Sequence, residues 1–147
     1  MEMGAMRCIT HKVEEMDVLA AEMVDQLIAA RVILLHGDLG AGKTTFVQGV
    51  AKALGVTRPV KSPTYTLVNV HQVNHAVIAN LVHVDLYRIA RVDANEMRQI
   101  GLDELLADPK NLVMIEWPER LDTPLSGLDL YLSQDGDTHV LETKTAP

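Results

Sequence analysis

The 147-residue sequence predicts an α/β fold with a mostly parallel central sheet, flanked by helices and extended by antiparallel strands. Three observations predict it. Val32-Ile33-Leu34-Leu35 is a short, wholly apolar run suited to a buried parallel strand. Gly37-Asp38-Leu39-Gly40-Ala41-Gly42-Lys43-Thr44 follows at once, with two glycines five positions apart and then Lys and Thr. Phe46, Val50, Ala53 and Leu54 then recur at the spacing of one helix face, and Gly55 supplies a stop. Strand, glycine turn and helix in that order define a P-loop NTPase domain, and the length fits a single domain over residues 1–147.

Around that unit the other elements read in order. Arg7 to Thr10 is a short strand. Met16, Leu19, Ala20, Met23 and Leu27 form the core stripe of an amphipathic helix, where methionine fills gaps rather than binding a cofactor. Lys61 to Val68 opens as a loop around Pro63 and turns β-rich from Tyr65 to Val70. Leu81 to Arg88 is a strand in which Val82, Val84 and Leu86 share one face and His83, Asp85 and Tyr87 the other. From Asp93 to Leu106 an apolar pattern broken by Gly101 predicts two short helices with an acidic, solvated face. Leu112 to Ile115 is a second fully apolar strand, ending at Glu116-Trp117-Pro118-Glu119, with Trp117 expected to anchor packing. Leu128 to Leu132 and Thr138 to Glu142 alternate across a turn at Asp135-Gly136 and predict a closing hairpin.

Bulk properties exclude several classes. A net charge of −7 without a clustered basic patch argues against tight, unaided binding of nucleic acid, where phosphate neutralisation supplies most of the affinity. The single Cys8 forms no internal disulfide and reads as a small hydrophobe beside a strand in a reducing compartment. With no apolar run of membrane-spanning length and no recognisable signal segment, the expected location is cytoplasmic, away from membranes. His71 and His75 lie four apart in a β-like stretch, roughly 13 Å from one another and too far for one metal, so both are expected to be solvated.

The glycine turn carries the chemistry. Its glycines let backbone N–H groups converge on phosphate oxygens, Lys43 supplies a point charge for the β/γ phosphates, and the Thr44 hydroxyl suits Mg²⁺. Asp85, near the end of its strand, is a candidate Walker B carboxylate; the alternative is pairing with Arg88. Glu116, beyond the carboxyl end of another strand, is a second metal candidate or an orienter of the attacking water. Thr64 or Ser62 is placed either to sense the γ-phosphate or to close a simple hydroxyl-rich turn. There is no Asn-Lys-x-Asp base reader of a Ras-type GTPase, and Arg58, Arg88, Arg91, Arg98 and Arg120 are dispersed, leaving no arginine expected beside the P-loop.

Five blocks taken together, Gly37 to Phe46, Lys61-Ser-Pro-Thr-Tyr-Thr-Leu67, His83-Val-Asp-Leu-Tyr-Arg88, Gly101-Leu-Asp-Glu-Leu105 and Ile115-Glu-Trp-Pro-Glu119, resemble the TsaE (YjeE) family in sequence and order. The resemblance implies a Mg-dependent ATPase needed for N6-threonylcarbamoylation of adenosine-37 in ANN-decoding tRNAs. It implies TsaD and TsaB as partners, with tRNA met only through their complex; with no arginine expected beside the P-loop, the isolated chain is expected to turn over slowly until partners complete or reorganise the site. It also implies that Asp38, Leu39, Gly40, Ala41, Gly42, Lys43, Thr44 and Thr45 hold the phosphates of ATP. Thr44 and Glu116 would ligate Mg²⁺ with Asp85 close by, Thr64 would belong to a switch-like loop, and Thr10 would lie near the nucleotide. Lys43, Asp85 and Glu116 are then the candidate catalytic residues. A non-hydrolysing ATP-sensing adaptor and a small-molecule kinase are the alternatives.

Overall fold

The computed structural model describes residues 5–60 and 67–143. Seven strands form one sheet: β1 (Met6–Thr10), β2 (Val32–His36), β3 (Val68–Gln72), β4 (Asn80–Asp85), β5 (Asn111–Glu116), β6 (Leu128–Asp135) and β7 (Thr138–Thr143). Their spatial order is β1-β7-β6-β2-β5-β4-β3. The pairs β6/β2, β2/β5 and β5/β4 are parallel, while β1/β7, β7/β6 and β4/β3 are antiparallel. A four-stranded parallel centre thus carries antiparallel strands at both edges, as the sequence predicts.

The apolar strands are buried on both faces because helices or loops cover each side. Successive side chains point to opposite faces, so Ile33, Leu35, Leu81, Leu112 and Met114 join one core while Leu34, Val82, Val84, Val113 and Ile115 join the other. The first core is closed by α1 (Val13–Ala30) and α2 (Lys43–Ala53). All five predicted residues of the α1 stripe are buried. On α2, Phe46 and Val50 are fully buried, each worth about 1.5–3 kcal/mol of transfer free energy. Ala53 lies outside this face and is exposed, because the helix ends there and Leu54 alone turns inward. The helices cross where Gly49 meets Ala20: a Cβ on Gly49 would lie 3.0 Å from the Ala20 methyl.

The second core is closed by α3 (Ala94–Gln99) and α4 (Leu102–Ala107), the two short helices expected on either side of Gly101. Asp93 caps α3 by accepting from the Glu96 N–H at 2.8 Å, which satisfies one of the orphan donors of the first turn. The histidine pair divides: His75 is exposed as expected, but His71, on β3, is half-buried because its side chain shares a face with Leu81 across the ladder. Cys8 is half-buried within β1 rather than beside it. Among the described residues no helix is long and apolar enough to cross a membrane.

Candidate functional site

The parallel centre places three carboxyl-terminal strand ends at one level. Leu35 of β2 is in register with Glu116 of β5, and Glu116 with Asp85 of β4. Period two aims Glu116, Asp85 and His83 at the face covered by α2, since they share parity with Met114 and Leu81 of that core. The chain leaving β2 forms the glycine turn over the same edge and enters α2 at Lys43.

Glycines at positive φ make the turn possible, Gly37 and Gly42 most tightly. Gly37 has φ +147, and a Cβ there would lie 2.3 Å from the Leu132 carbonyl oxygen of neighbouring β6. Gly42, the N-cap of α2, has φ +100, a conformation that side chains disfavour. His139 of β7 donates from Nδ1 to the Ala41 carbonyl at 3.1 Å and so ties the closing hairpin to the turn.

A cavity of about 460 Å³ opens here, lined by residues 39–45 together with Asp85, Tyr87, Arg88, Glu116, Trp117, Gln134 and His139. Lys43 is only 5 % exposed; its ammonium donates to the Gly37 carbonyl and lies 3.9 Å from the centre of the Trp117 ring. Burial pushes the Lys43 ammonium below its ordinary value, and the carboxylates of Glu116, Glu119, Asp85 and Asp38 push back less strongly. The Thr44 hydroxyl lies 3.0 and 3.2 Å from the two Glu116 oxygens. Asp85 Oδ1 accepts from the Tyr87 N–H at 3.0 Å, which turns the chain as it leaves β4.

Of the sequence-predicted site residues, Leu39, Gly40, Ala41, Gly42, Lys43, Thr44, Thr45, Asp85 and Glu116 meet in this cavity. Asp38 lines an adjacent one with Leu132 and Ser133. Thr10 is buried and lines a smaller cavity of about 120 Å³, shared with Met16, Gly42, Thr45 and His139, directly behind the turn. Ser62 and Thr64 lie outside the described residues.

Four features depart from the sequence reading. Arg88 lines the cavity, so an arginine does stand beside the turn; the exit of β4 brings it there from 45 residues away in sequence. Trp117 packs against the second core and also forms a wall of the cavity, because its backbone is left-handed at φ +60, a costly conformation for a large residue. His139 and His83 also belong to the site. His83 had a visible signal in sharing a strand face with Asp85, whereas nothing local marked His139.

The donors fit a magnesium ion accompanied by phosphate. Thr44, Glu116 and Asp85 offer hard oxygens. No group of three or more His, Cys, Asp or Glu able to hold a metal occurs among the described residues. Mg²⁺ suits such a sparse set, since it keeps waters and borrows oxygens from substrate phosphates.

Sheet order, glycine turn and the carboxylates at adjacent strand ends define an α/β protein of the P-loop fold. The structure superposes on the crystal structure of YdiB from Bacillus subtilis with a TM-score of 0.69 and 29% identity, covering 100% of this chain and 88% of that one. The family model for threonylcarbamoyl adenosine biosynthesis protein TsaE matches residues 10–143, and the chain belongs to the TsaE family. It is 36% identical over 132 residues to the tRNA threonylcarbamoyladenosine biosynthesis protein TsaE of Mycobacterium bovis, covering 87% of this chain and 77% of the relative. It is 43% identical over 100 residues to the protein of the same name from Nostoc sp., covering 66% of this chain and 58% of that relative. The family is one of tRNA threonylcarbamoyladenosine biosynthesis.

Proposed function

We propose that this chain is a cytoplasmic, Mg-dependent ATPase whose nucleotide cycle supports N6-threonylcarbamoylation of adenosine-37 in ANN-decoding tRNAs by a TsaD–TsaB pair. The observation that carries the reading is the convergence of the glycine turn, Lys43, Thr44, Glu116 and Asp85 on one cavity. The loop from Asp38 to Thr45 would hold the phosphates of ATP, and Lys43 would neutralise their charge. Thr44 and Glu116 would hold magnesium with Asp85 close by, and the ion would supply positive charge against the charge that develops during phosphoryl transfer. Glu116 would otherwise orient the attacking water. Thr10, which lines the smaller cavity behind the turn, would lie near the nucleotide. Asp38, whose carbonyl accepts from the Ala41 N–H, opens the loop that would hold the phosphates, and Thr64 would belong to the loop that senses them.

A net charge of −7 supports a division of labour in which the partners hold the tRNA. The isolated chain turns over slowly, and docking on TsaD–TsaB completes or reorders the site. An arginine engaged with the transferring phosphate is worth roughly 10³–10⁵ in rate, and Arg88 stands at the rim in an exposed position. Reconstitution of the tRNA modification with and without this chain, over several turnovers and with ATP hydrolysis followed in parallel, tests the proposal. The expected result is multiple-turnover modification and accelerated hydrolysis only in the full mixture. Fast, partner-independent hydrolysis, or modification indifferent to the chain, would overturn it.

A further inference from the structure

We propose that His83 is a positioning residue that fixes the Glu116 carboxylate by holding Oε2 from behind, which leaves Oε1 available to a divalent cation beside Thr44. This rests on the Mg-ATP reading above and concerns a residue that does not itself line the cavity. His83 is wholly buried on β4, and its Nε2 lies 2.5 Å from Glu116 Oε2 on the adjacent strand. A carboxylate can only accept, so the imidazole N–H on Nε2 donates. Oε2 also lies 3.0 Å from the Thr44 hydroxyl, and Oε1 lies 3.2 Å from it. Thr44 has one hydroxyl proton to share between the two oxygens, so among the described residues His83 is the donor that Oε2 has and Oε1 lacks.

Packing does not account for an imidazole here. His83 shares its face with Leu81 and, in register, meets Met114, both wholly buried in the same apolar core. Its Nδ1 is buried without a hydrogen-bond partner among the described residues. An unpaired buried polar atom carries a desolvation cost that a leucine of similar volume would avoid. What the imidazole adds in exchange is the single N–H aimed at Glu116. A flexible glutamate at a strand end gains a fixed orientation from that bond, the role that groups behind metal ligands play generally.

The test measures ATP binding by the full chain calorimetrically, once with Mg²⁺ and once with EDTA, for the wild type, His83→Leu and His83→Gln. His83→Leu keeps the volume and removes the donor; His83→Gln keeps a donor. The expected result is unchanged metal-free binding in both variants. The magnesium enhancement falls about 10–100-fold in His83→Leu, the usual scale for such partners, and recovers at least in part in His83→Gln. Full enhancement in His83→Leu would overturn the assignment while leaving the Mg-ATP reading intact. A wild type that binds no ATP under either condition would sink that reading, and this assignment with it. Should His83→Leu fail to fold, ¹⁵N-histidine NMR of the wild type decides. A proton on Nε2, with ring signals that move when Mg²⁺ is added to the ATP-bound chain, is expected; a ring protonated at Nδ1 alone, or signals indifferent to Mg²⁺, would overturn it.

Discussion

The Lys43 ammonium lies 3.9 Å from the centre of the Trp117 ring, on a side chain that also donates to the Gly37 carbonyl. Such a cation–π contact is worth about 0.5–2 kcal/mol depending on how dry it is. A triphosphate offers the ammonium full negative charge instead, so binding should draw Lys43 off the ring. Trp117 is the only tryptophan of the chain. Its emission should therefore change saturably when Mg-ATP is titrated in, with no comparable change in Lys43→Ala. A flat titration of a wild type shown calorimetrically to bind ATP would mean that the contact survives in the complex.

Lys43→Ala should abolish ATP binding or hydrolysis while leaving the fold intact. The second half follows from burial, which disfavours the charged form of Lys43 in the folded chain, so removing the charge lifts a cost. Circular dichroism and thermal unfolding should match the wild type while calorimetry shows no binding. Ordinary ATPase activity in this variant would refute the site.

Arg120 ties two walls of the cavity together. Its guanidinium donates to the Tyr87 and Ile89 carbonyls at 3.1 and 2.8 Å, on either side of Arg88, and lies 5.2 Å from the Trp117 ring. Arg88→Ala should lower ATP turnover by about tenfold or more, equivalent to about 1.4 kcal/mol on the barrier. Arg120→Ala should reduce turnover too and should also alter Trp117 emission, because the ring loses a neighbour. Arg88→Ala turning over at the wild-type rate, with and without partners, would remove Arg88 from the mechanism.

The parts of the site that the sequence made legible are those encoded locally. The glycine turn is eight consecutive residues, and its flanking strand and helix are read from apolar period alone. Asp85 and Glu116 were recognisable because each lies near the end of an apolar strand, and parity settles which way their side chains face. Arg88, Trp117 and His139 were not, for separate reasons. Arg88 reaches the turn only because β4 lies two strands from β2 in the sheet. Trp117 does so through a left-handed backbone that no composition rule anticipates. His139 comes from a hairpin almost a hundred residues further along the chain that happens to cross behind the turn. The half-burial of His71 is not legible in the sequence, because alternation gives a face but not what covers that face.

Gly37→Ala should destabilise the fold and the site together. The new methyl would have to displace the Leu132 carbonyl, 2.3 Å away in β6, and would hold a strained φ of +147 besides. Overpacking of this kind costs about 1–3 kcal/mol, and the backbone conformation adds to it. Denaturant unfolding should show that loss, and ATP affinity should fall in parallel if the glycine turn that Gly37 begins binds the phosphates. Gly55→Ala is the useful control: its φ is also positive, yet a Cβ there meets nothing within 4 Å, so its smaller cost isolates backbone strain from collision.

His71 should make stability fall on acidification. Burial lowers its pKa below the ordinary value, and the neighbouring His83 and Arg58 lower it further. The folded chain therefore binds this proton less readily than the unfolded chain. Stability is unaffected well above the unfolded value of about 6.5, declines as pH falls from there toward the lowered folded value, and stays reduced below it. His71→Gln removes the titration but keeps a polar side chain on β3. Its unfolding midpoint should run parallel to that of the wild type from pH 8 to about 7 and then exceed the parallel line increasingly as the solution is made more acidic. Midpoints that stay parallel down to pH 5 would show that His71 takes up its proton as readily in the folded chain as in the unfolded one.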